Sequence, residues 1–349
     1  MEDKKTVYLS SIDPVYQSNI PDYTEEKARG KGYVNYGKDN KWPNYLWDLY
    51  LNVATLQSII NTIVDYVCGE SITGIDYINK TGETLEDIVK KLTTDYLIFG
   101  GFAIQVIRNY AGEVAEIYAL DFMKVRTDEK NEIFYYCDNW SKWGAKSLVY
   151  PKYGENDTNP TSIFYYKGTM TRGVYPTPIY GASLIACELE KAINEYHLNN
   201  INNGFATNLI INFNNGNPND EQKKEIERDI VEKFTGYQNA GRFLVSFNDS
   251  AENATTIERL TSDDFDDKYK ALAERSRNQI LQAFRCPEVL VGGSVQSTGF
   301  NDLEFDAAFR LYNKTMIQPI QKTLITTFEK IFGKTIYIEP FSIKGNEVE

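Results

Sequence analysis

Apolar positions Leu46, Leu49, Val53, Leu56, Ile60, Ile63 and Val67 recur in steps of three and four, which predicts one long amphipathic helix from Tyr45 onward. Such a stripe belongs to an ordinary core helix before it belongs to a coiled-coil seam. A second helix is expected to start at Thr84, whose hydroxyl can accept from the N–H of Asp87, to run through Ile88, Leu92 and Tyr96, and to end at Gly100-Gly101. From Phe102 the period falls to two. Phe102, Ile104 and Val106 alternate with Ala103, Gln105 and Ile107, and the runs Val114 to Ala119, Ile133 to Cys137 and Ser162 to Tyr166 are separated by Gly, Asn and Asp turns. This predicts an antiparallel sheet region packed on the preceding helices. The segment Tyr175 to Gly181, with Pro176 and Pro178, cannot be helix interior; a helical stripe of Ile185, Leu189, Ile193 and Tyr196 follows at once, so a boundary is expected there.

Ten Asn lie between Asn199 and Asn219. They surround a β-like run, Asn208 to Phe213, after which Asn217-Pro218 offers an N-cap with Pro at the first helical position. That helix carries Ile226, Ile230, Val231 and Phe234. With two further strand candidates, Arg242 to Phe247 and Thr255 to Leu260, residues Phe205 to Thr261 form a small α/β insert between two long helices. The second of these carries Phe265, Tyr269, Leu272, Ala273, Ser276, Ile280 and Phe284, and stops at Pro287. A loop with Gly292, Gly293, Ser294, Gln296, Ser297, Thr298 and Gly299 leads into a last helix, about Asp302 to Phe332. Pro319 lies inside it and is expected to kink it. Residues 1–43 are polar and broken by Pro14, Pro21 and Pro43, an arm that gains order by lying on another surface.

Composition narrows the function classes. The 349 residues are 42% hydrophobic and 25% charged, a folded chain of two or three domains, with 25 Tyr and 18 Phe raising the aromatic share to 13%. Acids outnumber bases 49 to 37, a net charge of -12, which excludes wrapping DNA by general electrostatics. Cys68, Cys137, Cys187 and Cys286 match no zinc or redox spacing and are too sparse for a disulfide scaffold, so a reducing cytoplasm is expected. The charged start, Met1 to Asp13, lacks the apolar stretch of a signal peptide. No segment approaches the roughly 18 continuous apolar residues of a membrane span. The single histidine, His197, excludes a His-rich metal centre and is read as a solvated residue.

Three motifs carry candidate chemistry. Gly236 to Gly241 has P-loop glycine spacing, but Arg242 and Phe243 stand where Lys and Ser or Thr are required, so a plain helix-to-strand turn accounts for it. Asp263, Asp264 and Asp267 fit the Asp-Asp-x-x-Asp pattern that holds Mg in isoprenyl diphosphate synthases, which leaves a Mg-dependent diphosphate enzyme as the alternative function. No second aspartate-rich helix accompanies them, and first-turn carboxylates also stabilise a helix by about 0.3 to 1 kcal/mol each through its dipole. A tyrosine-rich glycan-binding protein is a further alternative. The loop after Phe284 has no Lys or Arg between Arg285 and Arg310, so it cannot clamp phosphates, although Ser294, Gln296, Ser297 and Thr298 can touch a polymer weakly; a flexible surface connection is the plainer reading.

The order of these pieces resembles a family. Tyr180-Gly181-Ala182-Ser183-Leu184 into a helix ending Asn199 to Gly204, then Leu209 to Gly216, Asn239-Ala240-Gly241-Arg242, Phe284 to Gly292, and Ile317-Gln318-Pro319 together resemble a tailed-phage portal protein, the head-to-tail connector. Tyr96 to Ala103 followed by β-rich sequence is similar to that family's wing, and the resemblance covers about Pro43 to Phe332.

The resemblance implies an α+β portal-type fold: an arm at 1–43, a wing at 44–181, stem helices at 182–204 and 262–287 bracketing a clip at 205–261, a tunnel loop at 288–301, and the kinked helix with a short C-terminal segment at 302–349. The short tail departs from members with a large helical crown. The family likeness further implies a non-enzymatic ring, usually a dodecamer, at one capsid vertex of the virion, assembled in the bacterial host cytoplasm and passing double-stranded DNA in packaging and ejection. Its partners would be the large terminase subunit on the clip, a head-tail adaptor later, and the major capsid or scaffold protein on the wing, with no cofactor, metal or membrane. Gly292, Gly293, Ser294, Gln296, Ser297 and Thr298 become the DNA-proximal residues.

Overall fold

Apolar side chains from three helices and a three-stranded antiparallel sheet meet in one buried cluster, joined by the C-terminal helices. The computed structural model describes residues 20–142, 144–154, 159–168, 171–202, 209–213, 219, 221–222, 224–225, 243–247, 263–291 and 302–341. They fall into two units, one drawn from Leu189–Glu274, the other from residues up to Glu188 together with those from Arg275.

The stripe that predicts one long helix is carried by two, α1 (Trp42–Asn52) and α2 (Ala54–Cys68). Val53 between them is extended, at φ -111° and ψ 103°. The side-chain amide of Asn52 donates to the Asp48 carbonyl at 2.9 Å, the acceptor that a continuing helix reserves for a backbone N–H, and this competition ends α1. Val53 stays fully buried, as do Leu46, Leu49, Leu56, Ile60, Ile63 and Val67, so the stripe survives the break. α3 (Leu85–Phe99) starts as the sequence dictates. Thr84 Oγ1 accepts from the Asp87 N–H at 3.2 Å and the Asp87 carboxylate accepts from the Thr84 N–H at 2.9 Å, a closed capping box. It ends at Gly100, φ +86°, where a Cβ would stand 2.2 Å from the Thr177 carbonyl, so only glycine fits.

Two short strands and two sheets complete this body. β1 (Ser71–Thr73) precedes α3, and β2 (Gly101–Arg108) leaves it directly to become the centre of the sheet β3-β2-β7, with β3 (Val114–Leu120) and β7 (Thr161–Lys167) both antiparallel to it. Ile104 pairs with Ala119 on one side and Phe164 on the other. β4 (Val125–Thr127), β5 (Ile133–Tyr136) and β6 (Leu148–Pro151) form a second antiparallel sheet. β4 and β6 escape the sequence reading because they have three and four residues and because Leu148 and Val149 are exposed, which erases any alternation.

Residues 20–41 lie along this body. Val34 N–H donates to the Thr127 carbonyl at 2.9 Å, Tyr36 stacks on Tyr175 at 4.1 Å, and the Glu25 carboxylate accepts from the N–H groups of Val174 and Tyr175 at 2.6 and 3.0 Å. Arg126, fully buried, fastens the same segment: its guanidinium donates to the Asn40 side chain, to the Asn40 carbonyl at 2.9 Å, and to the carbonyls of Met123 and Val125 at 2.9 and 2.8 Å. The rings of Trp140 and Tyr36 lie 5.0 and 5.8 Å from it.

α4 (Leu184–Asn202) enters the other unit, where β8 (Leu209–Phe213) pairs with β9 (Phe243–Phe247) in parallel, in register from Leu209 with Phe243 to Phe213 with Phe247. Parallel pairing requires a crossover, and helical residues 221–222 and 224–225 lie between the two strands. Asn219 caps them, its Oδ1 accepting from the Gln222 N–H at 2.9 Å while Gln222 Oε1 accepts from the Asn219 N–H at 3.2 Å; the expected cap at Asn217 lies outside the described residues. The third strand candidate, Thr255 to Leu260, lies outside the described residues. The stripe expected on α4 is also corrected, because Leu184, Ala186, Cys187 and Ile193 are buried while Ile185 is 72% exposed. A one-residue change of phase turns Ile185 outward.

α5 (Asp263–Ala283) follows, then α6 (Asp302–Tyr312), a π-helical turn (Asn313–Ile317) and α7 (Gln318–Phe332). β10 (Tyr337–Glu339) returns to pair antiparallel with β1, Ser71 opposite Glu339. Among the described residues no helix is long and apolar enough to cross a membrane.

Candidate functional site

The residues that flank the glycine-rich loop form its platform. α5 ends in a six-residue turn in which Cys286 N–H reaches back to the Leu281 carbonyl at 2.9 Å, with Arg285 left-handed at φ +51°. Pro287 stops the helix, a short 3-10 turn covers Glu288–Val291, and the Arg277 guanidinium pairs with Glu288 at 2.9 Å. Phe284, fully buried, stacks on Tyr180 at 5.5 Å, and the Tyr180 hydroxyl donates to the Ile98 carbonyl at 3.0 Å. Ser183 Oγ donates to the Gln279 carbonyl at 3.0 Å. Tyr66 extends its hydroxyl towards the Leu290 carbonyl and sets its ring 5.1 Å from Phe309 of α6. Both sides of the loop are thus tied to one buried layer.

Gly292, Gly293, Ser294, Gln296, Ser297 and Thr298 themselves lie outside the described residues. Pro319 falls in the first turn of α7, directly after the π-helical turn. The carbonyl four residues back belongs to Thr315, inside that turn, so the altered ladder sits where the proline removes its donor.

The rival chemistry gains no support from position. α5 begins at Asp263, so Asp263 and Asp264 occupy its first turn, where carboxylates favour the helix dipole, and Asp267 follows one turn on; their side chains lie outside the described residues. Among the described residues no group of three His, Cys, Asp or Glu could hold a metal ion. The P-loop-like run Gly236 to Gly241 lies outside them too. His197 is exposed on α4, edge-on to Tyr196 at 5.8 Å and to Tyr269 of α5 at 5.6 Å. None of the four cysteines forms a disulfide, and all four are buried. Burial pushes the Cys68 and Cys286 thiols up to about 12 and about 11, so both stay protonated and unreactive at neutral pH.

A family model for the phage portal protein matches residues 81–340, well over half of the chain. The chain belongs to the phage portal protein family. None of the curated proteins matches it. Portal-family membership agrees with the fold. The chain is similar to a chain in the neck of a native GTA particle computed with C12 symmetry, at 15% identity over 87% of this chain and 85% of that one, TM-score 0.56. It is similar to a chain in the virion of a native gene transfer agent (GTA) particle, at 16% identity over 92% and 88%, TM-score 0.56. A third likeness is to the neck of an empty GTA particle computed with C6 symmetry, at 15% identity over 88% and 85%, TM-score 0.56. At these identities the likeness is one of fold. The α+β portal-type architecture read from the sequence, helices with antiparallel sheet, is the architecture found.

The sequence reading did not find the Tyr180–Phe284 stack, the Ser183 bond or the left-handed Arg285. No local signal announces them, since the first two join residues about a hundred positions apart and the third occupies a place where glycine or asparagine is the usual occupant.

Proposed function

We propose that the protein is the non-enzymatic subunit of a ring at one capsid vertex of a virion, enclosing the channel for double-stranded DNA in packaging and ejection. The observation that carries this reading is the portal-family match over residues 81–340. The exposed apolar residues of α4 support a ring. Ile185 and Leu198 remain 72% and 57% exposed in the single chain, on different sides of α4, apolar surface that neighbouring copies would cover. In this proposal α4 and α5 are the stem, the β8–β9 region the clip that receives the large terminase subunit and later the head-tail adaptor, residues 44–181 the wing that meets capsid or scaffold, and residues 288–301 the tunnel loop at the narrowest point. Twelve copies are proposed.

Native mass spectrometry and electron-microscope class averages test the ring. A closed assembly of about a dozen copies is expected, and a strict monomer at low salt and high concentration alike overturns the reading. For the loop, removing Gly292 to Thr298 is expected to leave assembly intact, because the platform around Phe284 and Tyr180 carries the packing, and to impair packaging or retention of DNA. Ser294→Lys with Ser297→Lys is expected to make passage more dependent on salt than in the parent. Parent-like packaging in both variants makes the loop an ordinary surface connection.

A further inference from the structure

One file of side chains on α5 presents exposed hydrogen-bond donors along a single face. Arg275, Asn278 and Gln282 are exposed and recur in steps of three and four, so they share one face of the helix, and the exposed Arg285 continues the file at its end. At 1.5 Å per residue the file is about 15 Å long. It ends seven positions before Gly292. Among the described residues none of the four side chains has a hydrogen-bond or ion-pair partner, whereas Arg277, on the neighbouring face, is bound to Glu288 and Arg310 is bound to Asp306. Two unpaired guanidinium groups with two amides between them are a local excess of donors in a chain of net charge -12, with the exposed carboxylate of Glu274, one turn before Asn278, bordering the same face.

The backbone at Arg285 adds an independent observation. Among the described residues three non-glycine residues have positive φ, and besides Arg285 the two are Asn40 and Asn131, of the type that tolerates it. Arg285, at φ +51°, occupies the helix-end position where glycine is favoured; its charge acts on the Tyr312 hydroxyl, but among the described residues its side chain forms no hydrogen bond or ion pair. A strained residue whose donors are left open in this way points to a contact outside the subunit.

We infer that the Arg275–Asn278–Gln282–Arg285 file binds the phosphate backbone of double-stranded DNA. Guanidinium and amide groups are the donors that nucleic-acid backbones receive. A face for a second protein would instead need an apolar or aromatic centre, and here only Ala271 and Leu272 lie nearby. The inference rests on the portal reading for the nature of the polyanion and deepens it: the loop would touch DNA through neutral groups, and the preceding helix would supply two phosphate contacts per subunit.

The test uses the full-length assembled protein and a fluorescently labelled duplex of about 30 base pairs, its affinity measured by anisotropy between about 50 and 200 mM salt. Arg275→Gln changes an exposed helix position, and Arg285→Gly relieves the backbone, so neither variant loses binding through misfolding. Each lost phosphate contact is expected to lower the slope of log affinity against log salt by about 0.9, and the pair of changes to remove about twelve-fold of the affinity drop across that range for every subunit that touches the duplex. Assembly size is read on the same samples. Unchanged slopes in both variants, or no binding by the parent at low salt, overturn the inference. Variants that break the assembly while leaving the slope alone assign the file to an interface between copies and overturn it too. A parent that forms no ring, yet binds DNA through these residues, removes the portal reading and leaves the phosphate site standing; a ring whose variants bind like the parent does the reverse.

Discussion

Replacing Arg126 with methionine tests whether the buried guanidinium is what fastens residues 20–41. In the native protein it is fully buried with no carboxylate against it among the described residues, and burial holds its pKa below the ordinary arginine value without discharging it. Its charge is met by the carbonyls of Asn40, Met123 and Val125, by the Asn40 side chain and by the faces of Trp140 and Tyr36. Methionine fills part of the volume but leaves these acceptors short of a donor, each worth about 1 to 3 kcal/mol when buried. Some of that returns, because a desolvated cation disappears and no opposite charge is stranded. A net loss of about 3 to 5 kcal/mol is expected. Arg126→Lys keeps the charge but cannot span Asn40 and Met123 together, and an intermediate loss is expected. Urea unfolding followed by tryptophan fluorescence reads the stability, since Trp140 lies 5.0 Å from the guanidinium, and limited proteolysis within residues 20–41 reads release of the segment. A methionine variant within about 1 kcal/mol of the parent, with the segment still protected, would refute the clamp.

Thr84→Ala opens the capping box of α3 and is expected to cost about 1 kcal/mol in the same unfolding assay, a loss that Thr84→Ser restores. Glu83 is held below the usual glutamate range by its hydrogen bond from the Lys91 ammonium, with the Asn79 amide assisting. Its folded pKa therefore lies below the unfolded one, so its contribution is complete above about 4.5 and is lost as pH falls through the folded value; unfolding midpoints from pH 6 to 3 are expected to fall less steeply in Glu83→Gln than in the parent. Asp263→Asn with Asp267→Asn is expected to leave Mg binding, measured by calorimetry, as weak as in the parent. Tight parental binding that vanishes in the variant, together with diphosphate turnover, would return the enzyme reading.

Local rules were legible and long-range ones were not. Thr84 with Asp87, and Gly100, are fixed within four residues of their partners, so the boundaries of α3 stand in the sequence as they stand in the structure. The alternation Phe102, Ile104, Val106 likewise marks β2, the strand with neighbours on both sides. Val53 misled because burial and helicity are separate properties: the side chain keeps the stripe while the backbone leaves the helix. Ile185 misled in the opposite way, apolar at helical spacing yet turned outward, and a single chain's pattern cannot say what covers it. Arg126 reads as an exposed strand residue until Asn40, 86 positions earlier, is brought against it. At the platform, the loop's composition was visible but its supports, Tyr66 and Tyr180, come from parts of the chain more than a hundred positions apart and about a hundred or more from the loop.

The pairing of Ser71 with Glu339 joins residues 268 positions apart, and Gln321 Nε2 adds a bond to the Val67 carbonyl over 254. A ribosome adding about 5 to 20 residues per second needs roughly a quarter of a minute to a minute to travel between the two ends of that pair. Through this interval α2 and β1 are already synthesised but lack the edge and the helix that finish them. A nascent chain therefore cannot close its body early, and truncated products carry an open seam at Gly69 to Thr73 instead of a finished subunit, which makes completion of synthesis the gate on entry into any assembly.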